Sequence, residues 1–453
     1  MNLPNETPSA NRFTIGIFGR TNAGKSSLIN ALTEQEVAVT SPIAGTTTDP
    51  VKKSMELLPI GPLVIIDTPG IDDEGELGPA RIEKAYEVLR RCHLVILVLD
   101  AAEGADAFGE TEARFIRQLK KRDIFCIIAL NKCGKIPEIN KLRNAGTNLR
   151  ALSALLNRST DLNELKESLV QSKRIRAIAK EIAEKSSVPI ILTDAQEGIG
   201  IEELKKAIIN NAHIPNEETL LTDGIVKSGD TVVLVTPIDQ SAPKGRMILP
   251  QQQVLRDILD RDAYALVTKE TTLAQALRSL SSPPDIVITD SQAFAKVAPL
   301  VPEEIPLTSF SILFARQKGD LEKELAAIEA LADLEDGDTV LIAEGCTHHR
   351  QDDDIATVKI PRLIRGICPG VEFEWYAGAD FPVELRKYKL IVHCGACMLN
   401  RREMQYRIDY ALSQGIPITN YGMVIAYCTG ILPRAVRPFG LEINDRKEQK
   451  HEL

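Results

Sequence analysis

Two groups of residues in this chain of 453 amino acids have the types and the spacing that binding chemistry requires. The first is the glycine-rich segment GRTNAGKSS at residues 19–27, which matches the phosphate-loop pattern G-x-x-x-x-G-K-[ST]. The second pairs Cys346 and His348 with a later segment, HCGAC, at residues 393–397. Thiolates and imidazoles at such close spacing are typical metal ligands. The sequence therefore predicts one phosphate site and one metal site.

The phosphate loop stands between the two elements that its function requires. The apolar run FTIGIF before it predicts a buried strand, and LINALT directly after it predicts a helix. Small loop residues allow backbone N–H groups to surround the phosphates, and the helix N-terminus adds a favourable dipole. We expect Lys25 to reach the β- and γ-phosphates and Ser26 to ligate Mg²⁺. The predicted nucleotide-binding residues of this loop are Gly19, Asn22, Ala23, Gly24, Lys25, Ser26 and Ser27.

Two further motifs follow in the order found in nucleotide hydrolases. The segment GTTTDP supplies Thr47 as the predicted Mg²⁺ ligand. The segment LVIIDTPG ends a buried strand at Asp67, which we expect to contact Mg²⁺ through the metal's water ligands, and places Gly70 at the γ-phosphate. Lys25, Thr47 and Gly70 form the predicted catalytic group. Ile71 stands where small GTPases often carry a water-orienting glutamine, so we expect slow hydrolysis.

The motif that selects the guanine base departs from its usual sequence pattern. Asn131 and Lys132 begin the guanine motif N-K-x-D, but Cys133 and Gly134 follow them. The aspartate that would hold the N1 and N2 protons of guanine is therefore missing. Either a carboxylate from elsewhere in the chain makes this contact, or selectivity for guanine is reduced.

The last guanine-binding motif, usually Ser-Ala, has two matches. Residues 151–169 and residues 191–208 both resemble it. We favour the second, because the preceding VPIIL predicts a strand. Residues 135–186 are then predicted to be a long, charged, helical insertion.

Alternating strand-like and helix-like segments define the expected fold, an α/β protein with a mostly parallel sheet in its first part. We expect a P-loop GTPase domain at residues 10–213. A small α/β domain without catalytic groups is predicted at residues 219–318, with roles in packing and self-association. A third α/β domain, at residues 320–440, carries the cysteine and histidine ligands.

Composition excludes several classes of function. A net charge of −9 and a pI of about 5.4 offer no basic surface for nucleic acid or anionic lipid. The longest apolar runs, such as LVILVL, are far shorter than the ~20 residues that span a bilayer. The first residues, MNLPNETPSANR, lack the features of a secretory signal. We therefore expect a cytoplasmic protein that binds neither membrane nor nucleic acid.

The metal ligands follow two predicted strands. DTVLIAEG precedes Cys346 and His348, and YKLIV precedes residues 393–397. Because the carboxyl ends of parallel strands meet at one edge of a sheet, the two groups are expected to converge. A helix after Cys397 would lower the pKa of the thiols through its positive end. By spacing, a Cys₃His zinc site and a three-cysteine iron–sulfur site fit equally well.

With both motif sets considered together, residues 10–440 resemble the hydrogenase maturation factors of the HydF family. The resemblance is carried by the pattern C-x-H with a distant H-C-x-x-C, and by DTPGIDDEGELG, HCGACMLNRREM and NYGMVIAY. The phosphate loop resembles that of the TrmE-like GTPases, in which an asparagine at the position of Asn22 holds K⁺ against the phosphates. Gly134 and the insertion at residues 135–186 depart from the family pattern and concern nucleotide specificity.

The resemblance implies a function and a set of cofactors. It implies GTP with Mg²⁺ and K⁺, and a [4Fe–4S] cluster bound by three cysteines, with an exchangeable fourth position. The resemblance further implies that the chain is a homodimeric GTPase. It would carry a transient diiron precursor to apo-[FeFe]-hydrogenase and work with radical-SAM maturases. The implied cluster ligands are Cys346, Cys394 and Cys397, with His393, His348 or Glu344 at the fourth position.

Two alternatives compete with this interpretation. One is a K⁺-dependent, TrmE-like GTPase that acts on RNA and holds a structural zinc ion; the acidic pI disfavours it. The other is a family member whose GTPase has lost its activity, as the glycine at position 134 suggests.

Overall fold

The structure is a computed structural model, and it separates the chain into two compact units, Met1–Asn216 and Glu217–Leu453. The residues that the structure describes are 12–33, 51–70, 85, 87–135, 173–212, 220–237, 247–345, 354–378 and 381–443.

The first unit is built on a six-stranded sheet with the order β2-β3-β1-β4-β5-β6. Strand β2 runs antiparallel to β3, whereas all other neighbours are parallel. The mostly parallel sheet expected from the sequence is confirmed. The strands are β1 (Phe13–Gly19), β2 (Lys52–Leu57), β3 (Gly61–Asp67), β4 (Leu94–Asp100), β5 (Phe125–Asn131) and β6 (Ile190–Leu192).

The sheet separates two apolar cores because its central strands are apolar on both faces. Alternate residues of β1 point to opposite sides: Ile15 and Ile17 lie in one core and Phe18 in the other. Helices cover both faces. They are α1 (Lys25–Thr33), α2 (Glu110–Lys121), α3 (Lys173–Ser186) and α4 (Ile201–Asn211), with short 3₁₀ helices at Ala101–Ala107 and Cys133–Lys135.

The second unit contains two four-stranded sheets, with the orders β10-β9-β7-β8 and β12-β11-β13-β14. Every strand pair in both sheets is parallel. The first sheet consists of β7 (Thr231–Val235), β8 (Tyr264–Thr268), β9 (Ile286–Thr289) and β10 (Leu307–Ser309). The second consists of β11 (Thr339–Glu344), β12 (Glu372–Ala377), β13 (Tyr388–His393) and β14 (Ile418–Asn420).

Helices lie in most of the crossovers between these parallel strands, and two more follow the last strand. They are α5 (Leu249–Asp260), α6 (Leu273–Ser279), α7 (Phe294–Val297), α8 (Phe310–Lys318), α9 (Leu321–Ala326), α10 (Glu329–Ala332), α11 (Ile360–Arg365), α12 (Arg401–Ser413), α13 (Tyr421–Cys428) and α14 (Leu432–Val436). In the part of the chain that the structure describes, no helix is both long enough and apolar enough to cross a membrane.

The two sheets of the second unit share one apolar core. Val233 and Val287 of the first sheet and Val340 and Leu390 of the second belong to the same buried cluster. Arg434 adds polar contacts, because its guanidinium donates to the carbonyl oxygens of the loop after α7, including those of residues 301 and 305 at 3.0 and 3.1 Å. The predicted boundary near residues 318–320 lies between the sheets, but both parts pack as a single unit.

Candidate functional site

Glycine is required at two positions of the phosphate loop. Gly19 has φ 149°, and a Cβ there would lie 2.3 Å from the carbonyl oxygen of Val98. Gly24 has φ 95°, and a Cβ there would lie 2.4 Å from the side-chain nitrogen of Asn131. Real Cβ atoms do not approach other atoms this closely, so the loop can follow this path only with glycine. The backbone geometry therefore explains the motif that identified the loop.

Two cationic side chains hold the loop in shape. Lys25 begins α1, and its Nζ donates to the carbonyl oxygens of Gly19 at 3.0 Å and Arg20 at 2.8 Å. Arg20 donates to both carboxylate oxygens of Glu112, from Nε at 2.8 Å and Nη2 at 3.0 Å. Glu112 is fully buried and also accepts from the backbone of Gly109 at 2.8 Å. This bidentate pair anchors the loop to α2, and nothing in the local sequence indicated it.

The two groups predicted to bind magnesium, Ser26 and Asp67, are in contact at the start of α1. The hydroxyl of Ser26 donates to Asp67 Oδ2 at 2.6 Å. Asp67 Oδ1 is buried and has no hydrogen-bond partner within the described residues. Burial raises the pKa of Asp67, against the opposing effects of Ser26 and Lys25. A buried carboxylate oxygen without a partner, beside a hydroxyl, fits a hard cation such as Mg²⁺. Thr47 lies outside the described residues.

Asn131 connects the phosphate loop to the base-binding loops. It ends β5 and is almost fully buried. Its Nδ2 donates to the carbonyl oxygen of Ala23 at 3.2 Å, and its Oδ1 accepts from the backbone N–H of Ala195 at 3.1 Å. Lys132 Nζ lies 2.6 Å from Asp100 Oδ2 and donates to the carbonyl oxygen of Asn22. Of the two Ser-Ala-like segments, residues 191–208 thus reach Asn131, whereas residues 151–169 lie outside the described residues.

In the second unit, the ends of β11 and β13 lie side by side. Ala343 is the register partner of His393, and the backbone N–H of Cys394 donates to the carbonyl oxygen of Ala343 at 2.8 Å. The sulfur of Cys394 accepts from the backbone N–H of Gly345 at 3.1 Å. Cys346 is the next residue in the sequence after Gly345, although it and His348 lie outside the described residues. The two strands end at one edge of the sheet, as expected, and the convergence of the two ligand pairs stays a prediction.

Three family models match this chain. The model described as "50S ribosome-binding GTPase" matches residues 14–132. The models described as "Hydrogen maturase F dimerization domain" and "Hydrogen maturase F tetramerization domain" match residues 221–319 and 322–438. The chain belongs to the hydrogen maturase F family. Its N-terminal domain is accordingly a GTPase domain, which binds GTP with Mg²⁺, as the motifs predicted.

Curated relatives of this hydrogen maturase F chain resemble its N-terminal part. GTPase Der of Campylobacter jejuni is 41% identical over 128 residues, which are 28% of this chain and 27% of the relative. GTPase Der of Sulfurimonas denitrificans is 39% identical over 128 residues, which are 27% of this chain and 25% of the relative. The chain thus spans about a quarter of the length of the curated relatives that it matches.

Solved GTPase structures resemble the chain more distantly. A variant of Era from Aquifex aeolicus bound to GDP and aluminium fluoride has a TM-score of 0.33 and 19% identity, covering 59% of this chain and 98% of Era. The G domain of the T. maritima FeoB iron transporter has a TM-score of 0.28 and 21% identity, covering 45% of this chain and 99% of that domain.

His393, one of the implied ligands, has contacts at both of its ring nitrogens. Its ring is fully buried, with Nδ1 2.8 Å from the carbonyl oxygen of Cys394 and Nε2 3.0 Å from Arg407 Nη1. Burial and the nearby guanidinium lower the pKa of His393 to about 3. Both ring nitrogens are therefore engaged, and iron would have to displace one of these contacts. The identity of the ligand at the fourth position stays a prediction.

The environment of Cys397 shifts the pKa of its thiol in opposing directions. A helix does follow this residue, with Asn400 as N-cap to Glu403 and Arg401 as first residue. Burial raises the pKa of Cys397, against the opposing effects of the Lys318 charge and of hydrogen bonds from the backbone of residues 397 and 398. The acidification of this thiol by the following helix therefore stays a prediction. Within the described residues, no three potential ligands are grouped as a metal site.

Lys318, which sequence analysis did not single out, supports the cysteine loop. It ends α8 and is almost fully buried. Its Nζ donates to the carbonyl oxygens of Ala396 at 3.1 Å, Cys397 at 3.2 Å and Leu399 at 2.8 Å. Ala396 has φ 53°, a conformation that non-glycine residues rarely adopt. The ammonium group therefore holds a strained loop in place and brings positive charge to the Cys397 thiol.

Replacing Lys318 with Met should destabilise the second unit, because three carbonyl oxygens would lose a buried donor. We expect the free energy of unfolding to fall by about 3 kcal/mol and the retained iron to decrease. Urea denaturation and iron analysis measure the two effects. The control is Lys323→Met, since Lys323 is exposed and pairs with Asp320 at 3.0 Å at the surface; it should change stability by less than about 0.5 kcal/mol. Equal stability of both variants would refute the role of Lys318.

Proposed function

We propose that this chain is a GTP-hydrolysing scaffold that carries the diiron precursor of the [FeFe]-hydrogenase active site and transfers it to apo-hydrogenase. The observation that supports it most is the convergence of β11 and β13, which places the sulfur of Cys394 against the residue preceding Cys346. The matches to the two hydrogen maturase F domain models support the same role. The radical-SAM maturases would supply the precursor.

Cys346, Cys394 and Cys397 would bind a [4Fe–4S] cluster, which supplies an open iron position for the precursor. Thiolates are the ligands that such clusters require. Cys394 is half-exposed, so cargo could approach it from solvent. The N–H of Gly345 and the charge of Lys318 favour a negatively charged cluster, because both stabilise negative charge on sulfur. The fourth ligand would be His393, His348 or Glu344.

Self-association would occur through residues 219–318 and yield a homodimer. Strand β8 lies at the edge of its sheet, where its backbone groups can pair with another strand. Two of its apolar side chains are exposed: Tyr264 by 66% and Val267 by 41%. The name of the third matched model, a tetramerization domain, supports further assembly through residues 322–438.

GTP would control the exchange of partners rather than act on the metal. The nucleotide site lies in one compact unit and the cysteines in the other. Segments that contact the γ-phosphate change conformation on hydrolysis in other GTPases, and such changes alter affinity for partners. Residues 45–50 and 67–76 would be these switches.

The proposal is tested on protein purified without oxygen. We expect a brown protein with broad visible absorption, about four iron atoms per chain, and the capacity to activate apo-[FeFe]-hydrogenase after loading by the maturases. Zinc in place of iron, with no activation, would contradict it. That outcome would favour a GTPase that acts on RNA, a role suggested by the ribosome-binding GTPase match at residues 14–132.

We also expect hydrolysis to be faster in KCl than in NaCl, with Asn22 as the K⁺ ligand. Asn22 has φ 63° and an exposed side chain in the phosphate loop. Asn22→Gly removes the side-chain oxygen, and glycine tolerates this backbone conformation without strain. Rates measured by phosphate release should become equal in the two salts for this variant. Equal rates in the wild-type protein would remove the role of K⁺.

A further inference from the structure

The guanine motif of this chain has a glycine, Gly134, where the motif usually has an aspartate. A carboxylate from another loop nevertheless lies at that position. Guanine presents its N1–H and its 2-amino group as neighbouring donors, and a carboxylate can accept from both. The structure places the side chain of Asp194 there. Its Oδ2 accepts from the backbone N–H of Gly134 at 2.9 Å.

Gly134 and Asp194 are sterically complementary. Gly134 lies in the 3₁₀ turn Cys133–Lys135. A Cβ on Gly134 would lie 2.6 Å from Asp194 Oδ2, closer than real Cβ atoms approach. The carboxylate of Asp194 thus fills the space into which a side chain at position 134 would project. An aspartate at position 134 and Asp194 in its present conformation exclude each other.

The carboxylate is held in position by its own loop. Asp194 Oδ1 accepts from the backbone N–H groups of Gln196 at 3.1 Å and Glu197 at 3.2 Å. The backbone of Asp194 also forms an antiparallel bridge with Ile199. A carboxylate has about four acceptor sites, so Oδ2, which receives the bond from Gly134, keeps capacity for a further donor.

Asp194 lies in the region where a side chain that contacts the guanine base is expected, next to the contacts of Asn131. The next residue, Ala195, donates its backbone N–H to Asn131, and Asn131 contacts the phosphate loop through Ala23. Asp194 therefore lies in the loop that follows β6, next to the residue that contacts Asn131, rather than in the loop that follows β5.

We propose that Asp194 supplies the guanine-binding carboxylate, so that the specificity determinant has moved from the loop after β5 to the loop after β6. This inference rests on GTP being the nucleotide of the proposed function. It predicts that selectivity for guanine is retained despite the glycine at position 134. Asp194 is then a specificity-determining residue that contacts the base.

The test is Asp194→Asn in the full-length protein, with GTP and xanthosine triphosphate compared by calorimetry in the presence of Mg²⁺. An amide offers one donor and one acceptor, which suits the C2 carbonyl and the N1–H of xanthine but not the two donors of guanine. We expect GTP affinity to fall about 10- to 100-fold and xanthosine triphosphate affinity to rise. A purely structural role would lower the affinity for both nucleotides together.

The double variant Gly134→Asp with Asp194→Ser provides the rescue. It returns the carboxylate to the loop after β5 and removes the steric conflict, so we expect preference for GTP to return. Gly134→Asp alone should weaken GTP binding, because two carboxylates would compete for one space. Wild-type selectivity that persists unchanged in Asp194→Asn would overturn the inference. Failure of the wild-type protein to bind GTP would instead overturn the proposed function.

Discussion

Replacing Cys397 with Ala is expected to remove the iron and the visible absorption while GTP hydrolysis continues within about twofold of the wild-type rate. The physical reason is that a three-cysteine site cannot hold a [4Fe–4S] cluster after the loss of one thiolate. Hydrolysis should persist because the phosphate loop lies in the other compact unit. Iron analysis and phosphate release measure the two properties on the same preparation.

Cys428→Ala is the matched control for this prediction. Cys428 is also partly exposed and lies in the second unit, but it ends α13 and is not among the predicted ligands. Its replacement should leave the iron content unchanged. A Cys397→Ala protein with its full complement of iron would show that the cluster is bound elsewhere.

Replacing Lys25 with Ala should have the opposite pattern. We expect GTP hydrolysis to fall by at least about 100-fold, since a preorganised cationic donor to the phosphates is lost. The iron content should stay at the wild-type level, and activation of apo-hydrogenase should fail. Phosphate release, iron analysis and a hydrogenase activation assay measure these three outcomes.

Lys121→Ala is the control for Lys25→Ala, because Lys121 is an exposed residue at the end of α2. It should hydrolyse GTP normally. Normal maturation of hydrogenase by the Lys25 variant would show that GTP does not control transfer, and that the cysteine-bearing unit works without it.

Local sequence patterns predicted those features that depend on residues close together in the sequence. The glycines of the phosphate loop were recognisable because the backbone can follow that path only without side chains, as at Gly19 and Gly24. The buried strands β4 and β5 were recognisable because apolar residues occupy both faces. The convergence of β11 and β13 followed from the rule that parallel strands end at one edge.

Contacts between distant segments could not be predicted in this way. Lys318 ends a mostly buried helix, and nothing near it in the sequence indicates three carbonyl partners beyond residue 395. His393 has the spacing of a ligand, but the fold buries its ring against Arg407. The complementarity of Gly134 and Asp194 depends on two loops brought together by β5 and β6.

The helix α8 has a consequence for the whole assembly. It begins beside the sheet whose edge strand β8 is proposed to pair between protomers, and it ends at Lys318, under the cysteine loop. A change in subunit association that shifted this helix would also change the free energy of the loop proposed to bind metal. By thermodynamic linkage, metal would then alter the association constant by the same factor. Loading of the diiron precursor would then change the oligomeric state, and the oligomeric state would change the affinity for the precursor. A partner that recognises only the oligomer could therefore distinguish loaded from empty protein.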